Sequence, residues 1–205
     1  MKTYVFYFIL SIVFLQMNNG MTQSTLYKNV SQAKGLLVGD KVQDFSAMDV
    51  YGQRYSLQVA LRKGPVVLLF IRGQWCPVCN RHLSGVQDSL PMIYEKGASV
   101  VVVSPEKSEF LMRTVEKTGA EFTILYDEGY TISDGFDVTF LPDSLTRIMY
   151  NTLLGAKLKE SHSDDSERLP IPATFIIGQD GVIRWRHFDP DYKRRASVTD
   201  IVRNL

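Results

Sequence analysis

Three uninterrupted apolar runs set the frame of this chain. GPVVLLFIR is apolar from Val66 to Ile71, rich in β-branched residues, and opened by Gly64 and Pro65. Such a run predicts a buried strand, most naturally in a parallel sheet covered on both faces. GASVVVVS, from Gly97 to Ser104, predicts a second strand, and FTILYD, from Phe122 to Asp127, a third. Between the first two the period changes. Leu83, Val86, Leu90 and Ile93 fall at three- and four-residue spacing, which predicts a helix from Pro77, kinked or ended by Pro91. After the second strand, SPEKSEFLMRTVEKTG predicts a helix with Ser104 as N-cap, Pro105 at its first position and Gly119 at its end. PATFIIGQDGVIRWRHF predicts two strands joined by a hairpin at Gln179-Asp180-Gly181. Gly39 and Gly52 bracket a short extended piece near Phe45 to Met48, a helical stretch is expected near Asn151 to Lys159, and residues 199–205 predict a short last helix. This order describes an α/β layer architecture that one domain accommodates.

Composition adds two restrictions. The 205 residues are 45% hydrophobic with a net charge of +1, which suits a packed core and excludes nucleic acid as an expected partner. The N-terminus departs from the rest: Lys2, an apolar run from Tyr4 to Leu15, then polar and small residues. That run is well short of the ~20 residues a spanning helix needs, and its order is that of a secretory signal peptide. Residues 1–24 are therefore read as a signal peptide, with an uncleaved anchor as the alternative; a membrane contact is expected only if the segment is retained. Residues 25–38 form a lead-in and 39–205 the domain. The expected location is periplasmic or extracellular.

Export bears on the two cysteines, both within FIRGQWCPVCNRHL. In an oxidising compartment a cysteine pair can be a structural staple. A bridge between Cys76 and Cys79 closes so small a loop that chain entropy assigns it only about 2 kcal/mol, against ~4.7 for a hundred-residue loop. Redox chemistry suits the position better. Cysteines in the first turn of a helix meet unpaired backbone N–H groups and the positive end of the dipole, which favour a thiolate. Pro77 loses nothing there by lacking an N–H. A zinc site would need four ligands, with only His82, His162, His187 and carboxylates to complete it. Covalent haem would need histidine where Asn80 stands. No metal and no cofactor is expected.

FIRGQWCPVC after a buried strand, with LPIPATFIIGQDGVIRWRHFDPDY much later, resembles the thioredoxin-fold superfamily. The resemblance is closest to the peroxiredoxin-like branch of alkyl hydroperoxide reductase and thiol-specific antioxidant domains, and GDKVQDFSAMDVYGQ is similar to that family's opening strand and loop. It implies a thioredoxin-like fold, a central mixed β-sheet with helices on both faces. It also implies a dithiol cycle on Cys76 and Cys79, a hydroperoxide substrate and a thioredoxin-like or other dithiol reductant. Laid on the peroxiredoxin pattern Pro-x-x-x-Thr-x-x-Cys, Arg72 replaces the proline, Cys76 the threonine, and Cys79 is the peroxidatic position. Laid on thioredoxin, Cys76 is the nucleophile and Cys79 resolves. Pro172 takes the place of the thioredoxin cis-proline, where many peroxiredoxins keep an arginine; Arg72 or Arg184 is the candidate substitute. Two activities stay open: peroxide reduction through a sulfenic acid, and exchange with protein disulfides. A redox-sensing module without turnover is a third reading.

The substrate-side candidates are Arg72, Trp75 and Pro172, with packing an equal account of Trp75. His82 reads as a surface helix residue, and Trp185 and Phe188 as sheet packing. Asp164, Asp165, Glu167 and Arg168 read as a solvated loop, and Lys193 to Arg195 as a solvated turn. The long stretch between Asp127 and Pro170 has the length of a lid.

Overall fold

The computed structural model describes residues 27–205; the signal-peptide expectation, residues 1–24, lies outside them. A hairpin of β1 (Ser46–Met48) and β2 (Arg54–Ser56) leads into α1 (Leu57–Leu61), where Ser56 caps by accepting from Val59 N. The apolar runs then become β3 (Val66–Phe70), β4 (Ser99–Ser104) and β5 (Thr123–Tyr126). Between them lie α2 (Pro77–Asp88), α3 (Leu90–Tyr94) and α4 (Ser108–Thr118). After β5 come α5 (Thr131–Gly135), β6 (Thr139–Phe140), α6 (Ser144–Leu153), α7 (Leu158–Ser161) and β7 (Leu169–Pro170). The hairpin β8 (Ala173–Ile177) and β9 (Ile183–Phe188) and the helix α8 (Val198–Arg203) close the chain.

The main sheet has the order β5-β4-β3-β8-β9. Its first three strands are parallel; β8 and β9 return antiparallel. Period two explains why β3 is apolar throughout. Val67 and Leu69 face a core with Leu83 and Val86 of α2 and Leu111 of α4. Val66, Leu68 and Phe70 face the other, with Leu57, Leu61, Ile132 and Phe136. Each such side chain contributes roughly 1.5–3 kcal/mol by leaving water. The sheet is thus the mixed, two-faced sheet expected. Its connections bring the C-terminal end of β3 and the start of α2 together.

Several local expectations change. Ser104 is not a helix cap: it pairs with Tyr126 as the last rung of the parallel ladder, and α4 starts at Ser108 after Lys107. Glu106 lies in the intervening extended piece and bridges to His162. The insertion helix begins earlier than expected, because Asp143 accepts from Thr146 N and caps α6. Glu167 is not solvated. It is buried, bonded to Arg147 at 2.6 Å and Asn151 at 2.9 Å, and these partners compensate its lost hydration. Arg168 is largely buried too, between Asp134 and Asp164. Pro172 follows a trans peptide, since no described peptide bond is cis; the preceding Ile171 N donates to Val138 O at 2.7 Å and keeps the chain extended. Trp185 and Phe188 pack as sheet residues.

Candidate active site

The site grows from the turn between β3 and α2. Cys76 is the N-cap of α2, and its Sγ accepts from Cys79 N at 3.3 Å, while Pro77 opens the helix. A sulfur therefore occupies the place where a serine or aspartate oxygen usually satisfies the first turn. Arg72, at the end of β3, is 2% exposed. Its Nη2 donates to Cys76 Sγ at 3.2 Å and its Nη1 to Tyr150 Oη at 2.9 Å. Its guanidinium also lies 5.0 Å from the ring centroids of Trp75 and Tyr150 and 3.8 Å from that of Tyr192. Desolvated cation–π contacts of this kind stabilise by up to about 2 kcal/mol. Burial opposes the charge of this arginine, but the neighbouring sulfurs favour the cation and push its pKa above the ordinary value.

A second arginine stands behind Cys79. Arg195 Nη1 is 4.0 Å from Cys79 Sγ, and its Nη2 is 3.3 Å from His82 Nδ1. Arginine can only donate, so His82 Nδ1 accepts and Nε2–H donates to Ala196 O at 2.9 Å. Burial and the Arg195 charge push His82 down to about 4, keeping it neutral. His82 is thus a partly buried prop for Arg195 rather than a surface residue, and Arg195 belongs to the site rather than to a solvated turn.

The two thiols are fully buried and neither is in a disulfide. Burial opposes charge on Cys79, but its hydrogen bond from Cys76 and the charges of Arg195 and Arg72 outweigh it and bring it to about 5. Cys76 is pushed up, first by that shared hydrogen bond and then by burial. The pair thus holds one proton and one negative charge, and the charge belongs to the pair. The donors on Cys76 Sγ allow the proton to sit on either sulfur.

The loop beneath is clamped. Glu106 Oε2 accepts from Gln74 N at 2.6 Å, Lys117 Nζ donates to Gln74 O at 3.0 Å, and Asn80 Nδ2 donates to the same oxygen at 2.8 Å. Gly73 sits at φ +147°, and a Cβ there would lie 2.6 Å from both Glu106 Cδ and Trp75 Nε1. Above the loop is a cleft of about 290 Å³ reaching Arg72, walled by Phe140, Tyr150, Ile171, Pro172 and Tyr192.

Cys76, Cys79, Arg72 and Trp75 therefore converge as the sequence suggests, and Pro172 lines the cleft. Arg184 does not join them: it is exposed and paired with Asp180 at 2.6 Å beside the hairpin turn. Tyr150, Tyr192, Arg195 and Glu106 were not expected at the site. The first lies on α6, which packs Tyr150 over Trp75 with ring centroids 5.1 Å apart and so gives the insertion a covering role.

A parallel sheet with an antiparallel hairpin, carrying two thiols at the foot of its first long helix, defines a thioredoxin-fold protein of the thiol-based oxidoreductase class. Residues 38–186 match the AhpC/TSA family, and the chain belongs to it. Among its relatives, the thiol-disulfide oxidoreductase ResA of Bacillus anthracis is 24% identical over 135 residues, 65% of this chain and 77% of the relative. Peroxiredoxin Bcp of Escherichia coli K12 is 29% identical over 103 residues, 50% of this chain and 65% of the relative. The fold is similar to the crystal structure of peroxidoxin BcpB from Mycobacterium tuberculosis, with a TM-score of 0.64 at 22% identity, covering 82% of this chain and 94% of that one.

Proposed function

We propose that the protein is a thiol peroxidase that reduces hydroperoxides through a Cys76–Cys79 disulfide cycle. The observation carrying this reading is that both sulfurs are fully buried, behind an arginine that floors a small cleft. A hydroperoxide is small enough to enter the cleft that Arg72 and Tyr192 line, whereas a protein disulfide must lay its own backbone against an exposed sulfur. Cys76 is the attacking atom in this reading, because it is the sulfur that Arg72 holds. Its proton passes to Cys79, the sulfur that carries the charge in the resting pair, before the attack. The Cys76 thiolate attacks the terminal peroxide oxygen, which stays on sulfur with its hydrogen as a sulfenic acid; the O–O bond breaks, and the alkoxide takes a proton from solvent water and leaves as an alcohol. Arg72 stabilises the charge growing on that oxygen. The Cys79 thiol then condenses with the Cys76 sulfenic acid, forming the disulfide and releasing water. A dithiol reductant restores the pair by exchange. With the export signal read from the sequence, this cycle runs outside the cytoplasm.

The relatives named ResA favour a second reading, exchange with protein disulfides. Competition separates the two. Reduced protein is mixed with a hydroperoxide and with a disulfide-bonded protein at equal concentration, and the oxidation rates are compared. Faster oxidation by the hydroperoxide supports the peroxidase; preference for the protein disulfide supports exchange.

A further inference from the structure

Helix α6 covers the dithiol without being packed down by apolar contacts. Tyr150 lies over Trp75 and accepts from Arg72, yet none of the ten residues of the helix is fully buried. Its apolar side chains Leu145, Ile148, Met149 and Leu153 are exposed, while Thr146, Arg147, Tyr150 and Asn151 form the half-buried face. Little apolar area leaves water when this helix settles, so its position depends on polar contacts.

Glu167 supplies them. Its Oε2 accepts from Arg147 Nη1 at 2.6 Å and its Oε1 from Asn151 Nδ2 at 2.9 Å, so one carboxylate grips α6 a full turn apart, with Tyr150 between. Asn151 Oδ1 accepts from Leu158 N at 2.8 Å and ties the helix end to α7. Among the described residues, the α6 side chains other than Tyr150 make hydrogen bonds beyond the stretch 143–158 only to Glu167. The carboxylate itself stands on a fixed base. Arg168 beside it is held by Asp134 at 3.0 Å and Asp164 at 3.3 Å, and its carbonyl accepts from the buried Tyr130 Oη at 2.6 Å. Leu169 then pairs with Phe140 in the β6–β7 ladder. Glu167 takes φ +59°, a left-handed conformation that a glutamate keeps only where its surroundings hold it.

The position of α6 decides which oxidants reach the sulfurs. Both thiols are fully buried, and Thr146 and Tyr150 of α6 wall the cleft of about 290 Å³ that leads to Arg72. We propose that Glu167 is a specificity-determining residue: by clamping α6 through Arg147 and Asn151 it admits small oxidants to Cys76 and Cys79 and shuts out protein disulfides. The identity of the admitted oxidant rests on the peroxidase reading; the clamp does not.

The test compares small and large reagents on the reduced full-length protein. Methyl methanethiosulfonate and a maleimide carried on polyethylene glycol label the thiols; hydrogen peroxide and the disulfides of insulin oxidise them. The natural protein should react with the small member of each pair and lag with the large one. Glu167→Gln and Arg147→Met should each speed the large reagents by roughly tenfold or more, the factor for one lost charge-assisted hydrogen bond. The small reagents should hold their rates or slow, as Tyr150 loses its grip on Arg72. The double variant should add little to either single one, because both break the same pair, and Arg147→Lys should keep most of the exclusion. Arg147→Met leaves the β7 side untouched and carries the test if Glu167→Gln fails to fold. A merely structural role would speed small and large reagents alike. That result, or folded variants with unchanged large-reagent rates, overturns the clamp. Oxidation of the natural protein by hydrogen peroxide at the pace of a free thiol overturns the peroxidase reading and leaves the labelling ratio standing.

Discussion

Replacing Arg72 by glutamine removes the guanidinium from the thiols and keeps a planar polar side chain. The lost contact is a charge-assisted hydrogen bond of 3.2 Å to a buried sulfur. Such bonds contribute roughly 1.5–3 kcal/mol, and 1.36 kcal/mol corresponds to one pKa unit, so the first ionisation of the pair should rise by about 1–2 units. Arg195 and the Cys79 N–H remain, so the value should stay below that of a free thiol. A second loss of similar size falls on the transition state, where the same group stabilises the leaving oxygen, and slows oxidation by roughly 10- to 150-fold. Thiolate ultraviolet absorbance against pH measures the first effect. Stopped-flow oxidation at about pH 9, where the variant pair is also ionised, isolates the second. Arg72→Lys keeps the charge without the fork and should fall between. Variants with unchanged thermal stability but an ionisation and a rate within about twofold of the natural protein would refute the role given to Arg72.

Tyr150→Phe deletes the hydroxyl bonded to Arg72 at 2.9 Å and keeps the ring over Trp75; hydroperoxide oxidation should slow by roughly 2- to 13-fold, about 0.5–1.5 kcal/mol. Gly73→Ala drives a methyl against Glu106 and Trp75 and should destabilise by about 1–3 kcal/mol in urea unfolding. His82 and His162 are held by burial at about 4, below the ~6.5 of the unfolded chain, so their contribution is complete above about pH 6.5 and lost as pH falls toward 4. Urea melts across that range should show the loss, and His82→Gln should remove part of it.

The strands were legible because β3 and β4 are buried on both faces, which leaves an unbroken apolar run that no loop imitates. The hairpin at Asp180-Gly181 was legible from turn chemistry alone, with Gly181 at φ +78°. Cys76, Cys79 and Arg72 lie within one short segment, so their convergence needed only a strand-to-helix turn. The rest of the site comes from long-range packing. Arg195 sits in a basic run that reads as a solvated turn until α8 carries it to within 4.0 Å of Cys79, and His82 is buried by that same arrival. Glu106 reads as an acidic residue in a first helical turn; it is buried because β4 runs on to Ser104 and the helix starts at Ser108. Glu167 likewise looks solvated until Arg147 and Asn151 of α6 reach it.

The most direct test of the dithiol peroxidase is single-turnover oxidation of reduced Cys76→Ser and Cys79→Ser proteins by a hydroperoxide, with sulfenic acid trapping. The account predicts that Cys79→Ser is oxidised rapidly and accumulates a trapped sulfenic acid on Cys76, while Cys76→Ser reacts no faster than a free thiol. Rapid oxidation of Cys79 alone would move the attack to the other sulfur. Oxidation of the unmodified dithiol at the pace of a free thiol would contradict the peroxidase.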